Sequence, residues 1–232
     1  MVYITGDTHG RFERIERFTL NMGTRRDDVM IILGDAGLNF FLNKRDQQTK
    51  SYVNQFGITT FCIHGNHEAR PQTIQTYIGK EFHGGKVLYE PDYPNIVFAI
   101  DGEVYDFDGL KCLVIGGAYS VDKWYRLERN YPWWPDEQPS EETKARVERK
   151  LKELKYEVDV VLSHTCPLHF QPREAFLPYF DQSSVDTTTE EWLEEIESKL
   201  TYKKWYFGHY HIPKKEGKYQ ILVQDFDVLS TR

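Results

Sequence analysis

Cysteine is scarce: the only three, Cys62, Cys112 and Cys166, lie far apart and form no CxxC pair, which fits a reducing compartment better than a disulfide framework. Long apolar runs are missing too, since no stretch approaches the roughly 20 residues of a membrane span. The chain opens directly into "VYITGDTHG", with no basic segment followed by an apolar one, so a soluble, unprocessed, cytoplasmic protein without a membrane partner is expected. Positive charge is also short, at 29 Lys and Arg against 36 Asp and Glu and a net charge of −7. That balance argues against a protein that holds nucleic acid through a broad basic face. No internal repeat or low-complexity linker divides the 232 residues, and 40% apolar with 15% aromatic content allows a sizeable core, so one domain over 1–232 is expected.

What is present is a series of short β-branched or apolar runs that each end in small or polar residues. They are "VYIT" before Gly6, "VMIIL" before Gly34, "ITTFCI" before His64, "VDVVL" before Ser163 and "KWYF" before Gly208, and each reads as a buried strand. Helical spacing lies between several of them. Phe12, Ile15 and Phe18 mark one helix; Val147, Leu151 and Leu154 mark another, with Ser140 as its cap. A third starts at Thr187, with Glu190 completing a capping box, and buries Trp192, Ile196 and Leu200. Closely spaced "NIVFAI", "EVYDF" and "KCLVIGG", with a hairpin turn at Asp108-Gly109, add antiparallel strands. The grammar is that of a layered α/β protein. Residues 118–140, dense in aromatics and prolines, read as a long excursion from the core.

The polar residues that follow the strands carry the chemistry. Asp7 and His9 follow the first in "GDTHG", Asp35 the second in "GDAG", Asn66 and His67 the third in "GNHE". His164 follows a later one in "SHTCP", and His209 and His211 another in "GHYH". In layered α/β proteins, residues just beyond the carboxyl ends of neighbouring strands converge on one crevice. Buried together without a cation they would be a costly set of charges and lone pairs; around divalent metal they become a ligand shell.

The ordered series "GDTHG", "GDAG", "GNHE", "SH", "GHYH", spanning residues 6 to 211, resembles the calcineurin-like metallophosphoesterase superfamily. The resemblance implies an αββα sandwich of two mixed β-sheets flanked by helices, and a phosphoester hydrolase with two metal ions. One ion would be held by Asp7, His9, Asp35 and His211 and the other by Asp35, Asn66, His164 and His209, with Asp35 bridging. A hydroxide between the ions would attack phosphorus in line. It further implies that His67 contacts substrate and protonates the leaving oxygen. The oxygen and nitrogen donors, without thiolate, point to manganese or iron, with zinc, cobalt or nickel as alternatives. A small phosphoester is the expected substrate, and nucleic acid is expected only as a substrate.

The chain also departs from that pattern. Phosphoprotein phosphatases of the superfamily carry GDxxDRG and RGNHE, whereas here Leu38 and Asn39 stand for the second aspartate and the arginine, and His64 for the arginine before GNHE. Without bidentate arginines a doubly charged phosphomonoester is held less well. The alternatives are therefore a serine/threonine phosphoprotein phosphatase, a nuclease or nucleotide phosphodiesterase, and a metal-binding scaffold without catalysis. Asn66, His64, Arg11 and Arg70 are the candidate substrate contacts, Arg11, Arg14 and Arg17 read as a solvated helix face, and the aromatic excursion reads as packed down or as a lid.

Overall fold

The computed structural model describes residues 1–176 and 182–231. Strand β1 (Val2–Thr5) pairs in parallel with β2 (Val29–Ile32), β2 with β3 (Thr59–Cys62), and β3 with β6 (Ile96–Ala99). An antiparallel hairpin of β4 (Ile78–Phe82) and β5 (Gly85–Tyr89) extends one edge, and β13 (Phe226–Val228) closes the other, giving the order β13-β1-β2-β3-β6-β5-β4. A second sheet is built from β7 (Val104–Phe107), β8 (Leu110–Ile115), β9 (Val160–Ser163), β10 (Lys204–Phe207), β11 (Lys214–Glu216) and β12 (Tyr219–Ile221), in the order β11-β12-β10-β9-β8-β7. Both sheets mix parallel and antiparallel pairs.

Alternation along the strands decides which side chains meet. Val29 and Ile31 of β2 face Val160 and Leu162 of β9 and Tyr206 of β10 in the core between the sheets. The alternate residues Met30 and Ile32 turn outward, where they bury Phe12 and Ile15 with α1 (Glu13–Met22) and Val53 of α2 (Lys44–Val53). On the opposite face Val161, Trp205 and Phe207 pack against α4 (Glu141–Glu153) and α5 (Thr188–Glu197). The result is helices, sheet, sheet, helices, as the motif series implies.

Local chemistry matches the expected elements at Ser140, whose hydroxyl accepts from the Thr143 amide at the start of α4, and at Asp108-Gly109, both at positive φ (54° and 83°) between β7 and β8. It differs at α5. Glu190 does not close a capping box; it is buried and accepts from the Thr165 hydroxyl, while Asp186 accepts the Thr188 amide. The excursion is not wholly irregular either, because it contains α3 (Lys123–Glu128).

Tyr105 of the second sheet joins the first: its hydroxyl donates to the Lys86 carbonyl at 2.7 Å and accepts from the Ile100 amide at 3.1 Å. Tyr105→Phe leaves both groups unpaired near the core, so urea unfolding should show a loss of about 1–3 kcal/mol. An unchanged midpoint would contradict this bond's role between the sheets.

Candidate metal centre

Asp7, Asp35 and Asn66 leave the carboxyl ends of β1, β2 and β3, and His164 and His209 those of β9 and β10, so both sheets deliver side chains to one crevice. The backbone there is strained. His9, Asp35, His209 and His211 have φ of 47°, 45°, 64° and 53°, a left-handed region that costs a side-chain-bearing residue roughly 1–2 kcal/mol. Stitching between loops holds that geometry. The amides of Thr8 and His9 both donate to the Asp35 carbonyl, and Gly10 to that of Ala36. Glycine is required where these loops pass: a Cβ on Gly65 would overlap the Asp35 carboxylate, and one on Gly208 that of Asp7.

Each carboxylate has one oxygen fixed by backbone and one aimed inward. Asp7 Oδ1 accepts from the His209 amide at 3.1 Å, while Oδ2 lies 3.0 Å from His211 Nε2 and 3.7 Å from His9 Nε2. Asp35 Oδ1 accepts from the His67 amide at 2.8 Å, and Oδ2 lies 3.6 Å from His164 Nε2 and 3.9 Å from His9 Nε2. Asn66 donates through Nδ2 to Ser120 Oγ, which turns Oδ1 toward His164 Nε2 at 2.8 Å and His209 Nδ1 at 3.1 Å.

These contacts form two halves with Asp35 between them. Asp7, His9 and His211 lie toward solvent, the His9 and His211 side chains being 34% and 53% exposed. Asn66, His164 and His209 lie deeper, with Asn66 and His164 buried. His67 stands beside the outer half, its ring 5.3 Å from that of His9.

Chemically the cluster is short of positive charge in the middle. The Nε2 atoms of His9 and His211 approach to 2.9 Å and can share only one proton. His164 Nδ1 donates to the Leu33 carbonyl at 2.7 Å, which in a neutral ring leaves the Nε2 lone pair pointing at two oxygens. Asp7, His9 and His211, and Asp7, Asp35 and His164, bring donor atoms within 4.8 Å of one another. A divalent cation in each half would satisfy these lone pairs, and the mixed carboxylate, amide and imidazole set fits such ions.

In the metal-free protein, protons do part of that work. Burial alone would push the Asp35 carboxyl up, but the His164 cation holds it well below the usual carboxylate range. Burial opposes protonation of His164 likewise, and Asp35 overrides it, raising His164 to about 9. Burial, with the His164 cation adjacent, pushes His209 down to about 3. Burial also lowers His67, against the pull of Asp35.

The other candidates lie as follows. His64 is buried, with neither ring nitrogen hydrogen-bonded among the described residues, and burial beside Arg70 holds it neutral. Arg70 donates through Nη1 to Asp101 Oδ2 at 2.6 Å and through Nε to the Asp136 carbonyl at 2.7 Å, while its Nη2 has no hydrogen-bond partner among the described residues. Arg11 is exposed. Arg14 is no solvated residue: its guanidinium binds Thr5 Oγ1 and the carbonyls of Gly6, Asp7, Val223 and Gln224, fastening the first motif loop to the chain before β13.

Several contributors escaped the sequence reading. Glu68 of "GNHE" accepts from the amides of Ala36 and Leu38, and burial raises it to about 8. Ser120 orients Asn66. Asp122 and Arg126 of the excursion exert their charge on His67. The signal for the last pair was an Asp and Arg at helical i, i+4 spacing among the aromatics.

Residues 1–213 match the family model for calcineurin-like phosphoesterases. The chain belongs to that family. It is therefore a member of a family of metal-dependent phosphoester hydrolases, and its Asp and His groups are placed where metal could bind. The crystal structure of TT1561 of Thermus thermophilus is similar in fold, with 14% identity, a TM-score of 0.52, and coverage of 100% of this chain and 98% of that one. A phosphopantetheinyl hydrolase from Mycobacterium tuberculosis aligns at 16% identity and a TM-score of 0.47, covering 96% and 87%. No curated protein sequence matches significantly.

The raised His164 gives this calcineurin-like phosphoesterase a pH signature. Its folded value of about 9 exceeds the ordinary 6.5, so its proton stabilises the metal-free fold fully below about pH 6.5, and that contribution is lost as pH rises through 9. A cation must displace the same proton. The Asp7 hydrogen bond raises His211 as well, so manganese uptake should tighten as pH rises toward 9 and release at least one proton at pH 7, read by calorimetry in buffers of different ionisation enthalpy. Uptake independent of pH would contradict the assignment.

Proposed function

We propose that this protein hydrolyses small phosphoesters in the cytoplasm with a two-metal site. One ion is assigned to Asp7, His9, Asp35 and His211, the other to Asp35, Asn66, His164 and His209. The observation that carries this reading is the completeness of the donor shell around Asp35: each of those side chains turns a nitrogen or oxygen toward the same crevice. Manganese or iron suits the donors best, with zinc, cobalt or nickel next. When bound, such a pair supplies hydroxide at neutral pH for in-line attack and neutralises phosphoryl charge.

The chain's own residues supply positioning. Asp35 Oδ2 is held between the two halves because its other oxygen is tied to the His67 amide. The exposed rims of His9 and His211 leave the outer half as the approach for substrate. His67, neutral at pH 7 in the free protein because burial lowers it, still offers one ring N–H to a phosphoryl or leaving oxygen. The negative charge of bound phosphate favours its taking up the proton that it then delivers to that oxygen.

A serine/threonine phosphoprotein phosphatase is the weaker reading, because neither position of the usual arginine pair provides one. Asn39 is buried, accepting from the Tyr77 hydroxyl, and His64 is buried and neutral. A nuclease is disfavoured by the net charge of −7. A scaffold that had lost the chemistry would be expected to lack ligands, and none is missing.

Protein loaded with manganese should hydrolyse aryl phosphate esters, and Asp35→Asn should lower kcat/KM by about 10³ or more. Equal rates for the two proteins, or no hydrolysis by the first with manganese, iron or zinc, would overturn the reading.

A further inference from the structure

Arg14 reaches five acceptors. Arg70 leaves Nη2 without a partner among the described residues, but its charge is met by a 2.6 Å ion pair with Asp101 and its Nε donates to a carbonyl. Arg126, on α3 of the aromatic excursion, has no such short ion pair. It is 3% exposed, yet its Nη1 has only a 3.4 Å contact with Ser120 Oγ and a 3.9 Å approach to Asp122 Oδ1, on a side chain itself 42% exposed. Its Nη2 has no hydrogen-bond partner among the described residues. Glu137, the other carboxylate nearby, is spent on the Ser120 amide and the Trp133 indole. A buried cation so poorly compensated is costly unless an anion joins it.

Its position says which anion. Ser120 Oγ, which Arg126 touches, also accepts from Asn66 Nδ2 at 2.8 Å, and Asn66 Oδ1 faces His164 and His209. One hydroxyl thus separates the guanidinium from the metal-ligand cluster. The charge of Arg126 also acts on His67, and that of Asp35 acts on Arg126. The guanidinium carbon of Arg126 lies over the Phe40 ring, 5.6 Å from its centroid.

Building on the proposed phosphoesterase activity, we infer that Arg126 is a substrate-contacting residue whose free Nη2 binds a non-bridging oxygen of a terminal phosphoryl group, so that the site favours dianionic phosphomonoesters. The arginine absent at positions 39 and 64 is thereby supplied from the excursion. A monoester presents more charge and more acceptor oxygens to such a fork than a diester does. The excursion acts as part of the substrate site through this one inward side chain, while Trp124 and Tyr125 on the same helix remain exposed.

The test uses manganese-loaded full-length protein with inorganic phosphate as probe. Binding is measured by calorimetry, alongside kcat and KM for mono-aryl and bis-aryl phosphate. Arg126→Gln should weaken phosphate at least about 10-fold and raise KM for the monoester similarly, with kcat/KM for the diester changed by less than about 3-fold. Guanidinium ion added to Arg126→Ala should restore part of the monoester rate. If Arg126→Gln does not fold, Arg126→Lys, which keeps the charge and loses the fork, should give the same split in smaller measure. Unchanged phosphate affinity, or equal losses on both esters, would overturn the inference while leaving the hydrolase reading intact. Wild-type protein that binds phosphate through Arg126 but hydrolyses neither ester would overturn the hydrolase reading alone.

Discussion

Asp35 sits at the carboxyl end of β2, 1% exposed and at φ 45°, with one carboxylate oxygen held by the His67 amide and the other between His9 and His164. Most of the crevice is arranged around that carboxylate. Its carbonyl anchors the loop bearing Thr8 and His9, and its side chain leaves no room for a Cβ on Gly65. A buried carboxylate among imidazoles stays charged only if positive charge is supplied, by protons in the metal-free protein and by cations in the loaded one. The strain at His9, Asp35, His209 and His211 is tolerated because the cross-loop hydrogen bonds fix those residues in place.

The two sheets divide the work. The first contributes Asp7, Asp35 and Asn66 from consecutive parallel strands, and the second contributes His164 and His209. Neither sheet alone assembles either half of the centre, so the apolar core between them sets the distance across which Asn66 meets His164. In "GHYH" the two imidazoles serve different halves: His209 faces Asn66 and His211 faces Asp7. Tyr210 turns away toward Thr165 and Cys166.

The parallel strands were legible because each is a short β-branched or apolar run ending in a small or polar residue, and the convergence of seven polar side chains on one crevice followed from those endings, whereas their individual roles as metal ligands came only with the family resemblance. Helix α2 was not. Its sequence "KRDQQTKSYV" is almost wholly polar, and it buries Asp46 and Lys50, the latter against Glu90 at 2.5 Å, so no apolar stripe announces it. Strands β4, β11 and β13 lie at sheet edges or pair with edges, are partly exposed and alternate weakly. Arg14 and Arg126 escaped for a related reason: an arginine's burial depends on acceptors far away in sequence. Leu38 and Asn39 were visible as departures, but the source of a replacing charge, on α3, appears only once the chain is folded.

The central claim is that one buried carboxylate organises two cations, and titrating metal-free protein with manganese while recording electron paramagnetic resonance tests it most directly. Saturation at about two ions per chain with an exchange-coupled signal, as expected for a pair of ions that Asp35 would hold, is the predicted result. Saturation at one ion, or two ions with uncoupled spectra, would contradict it.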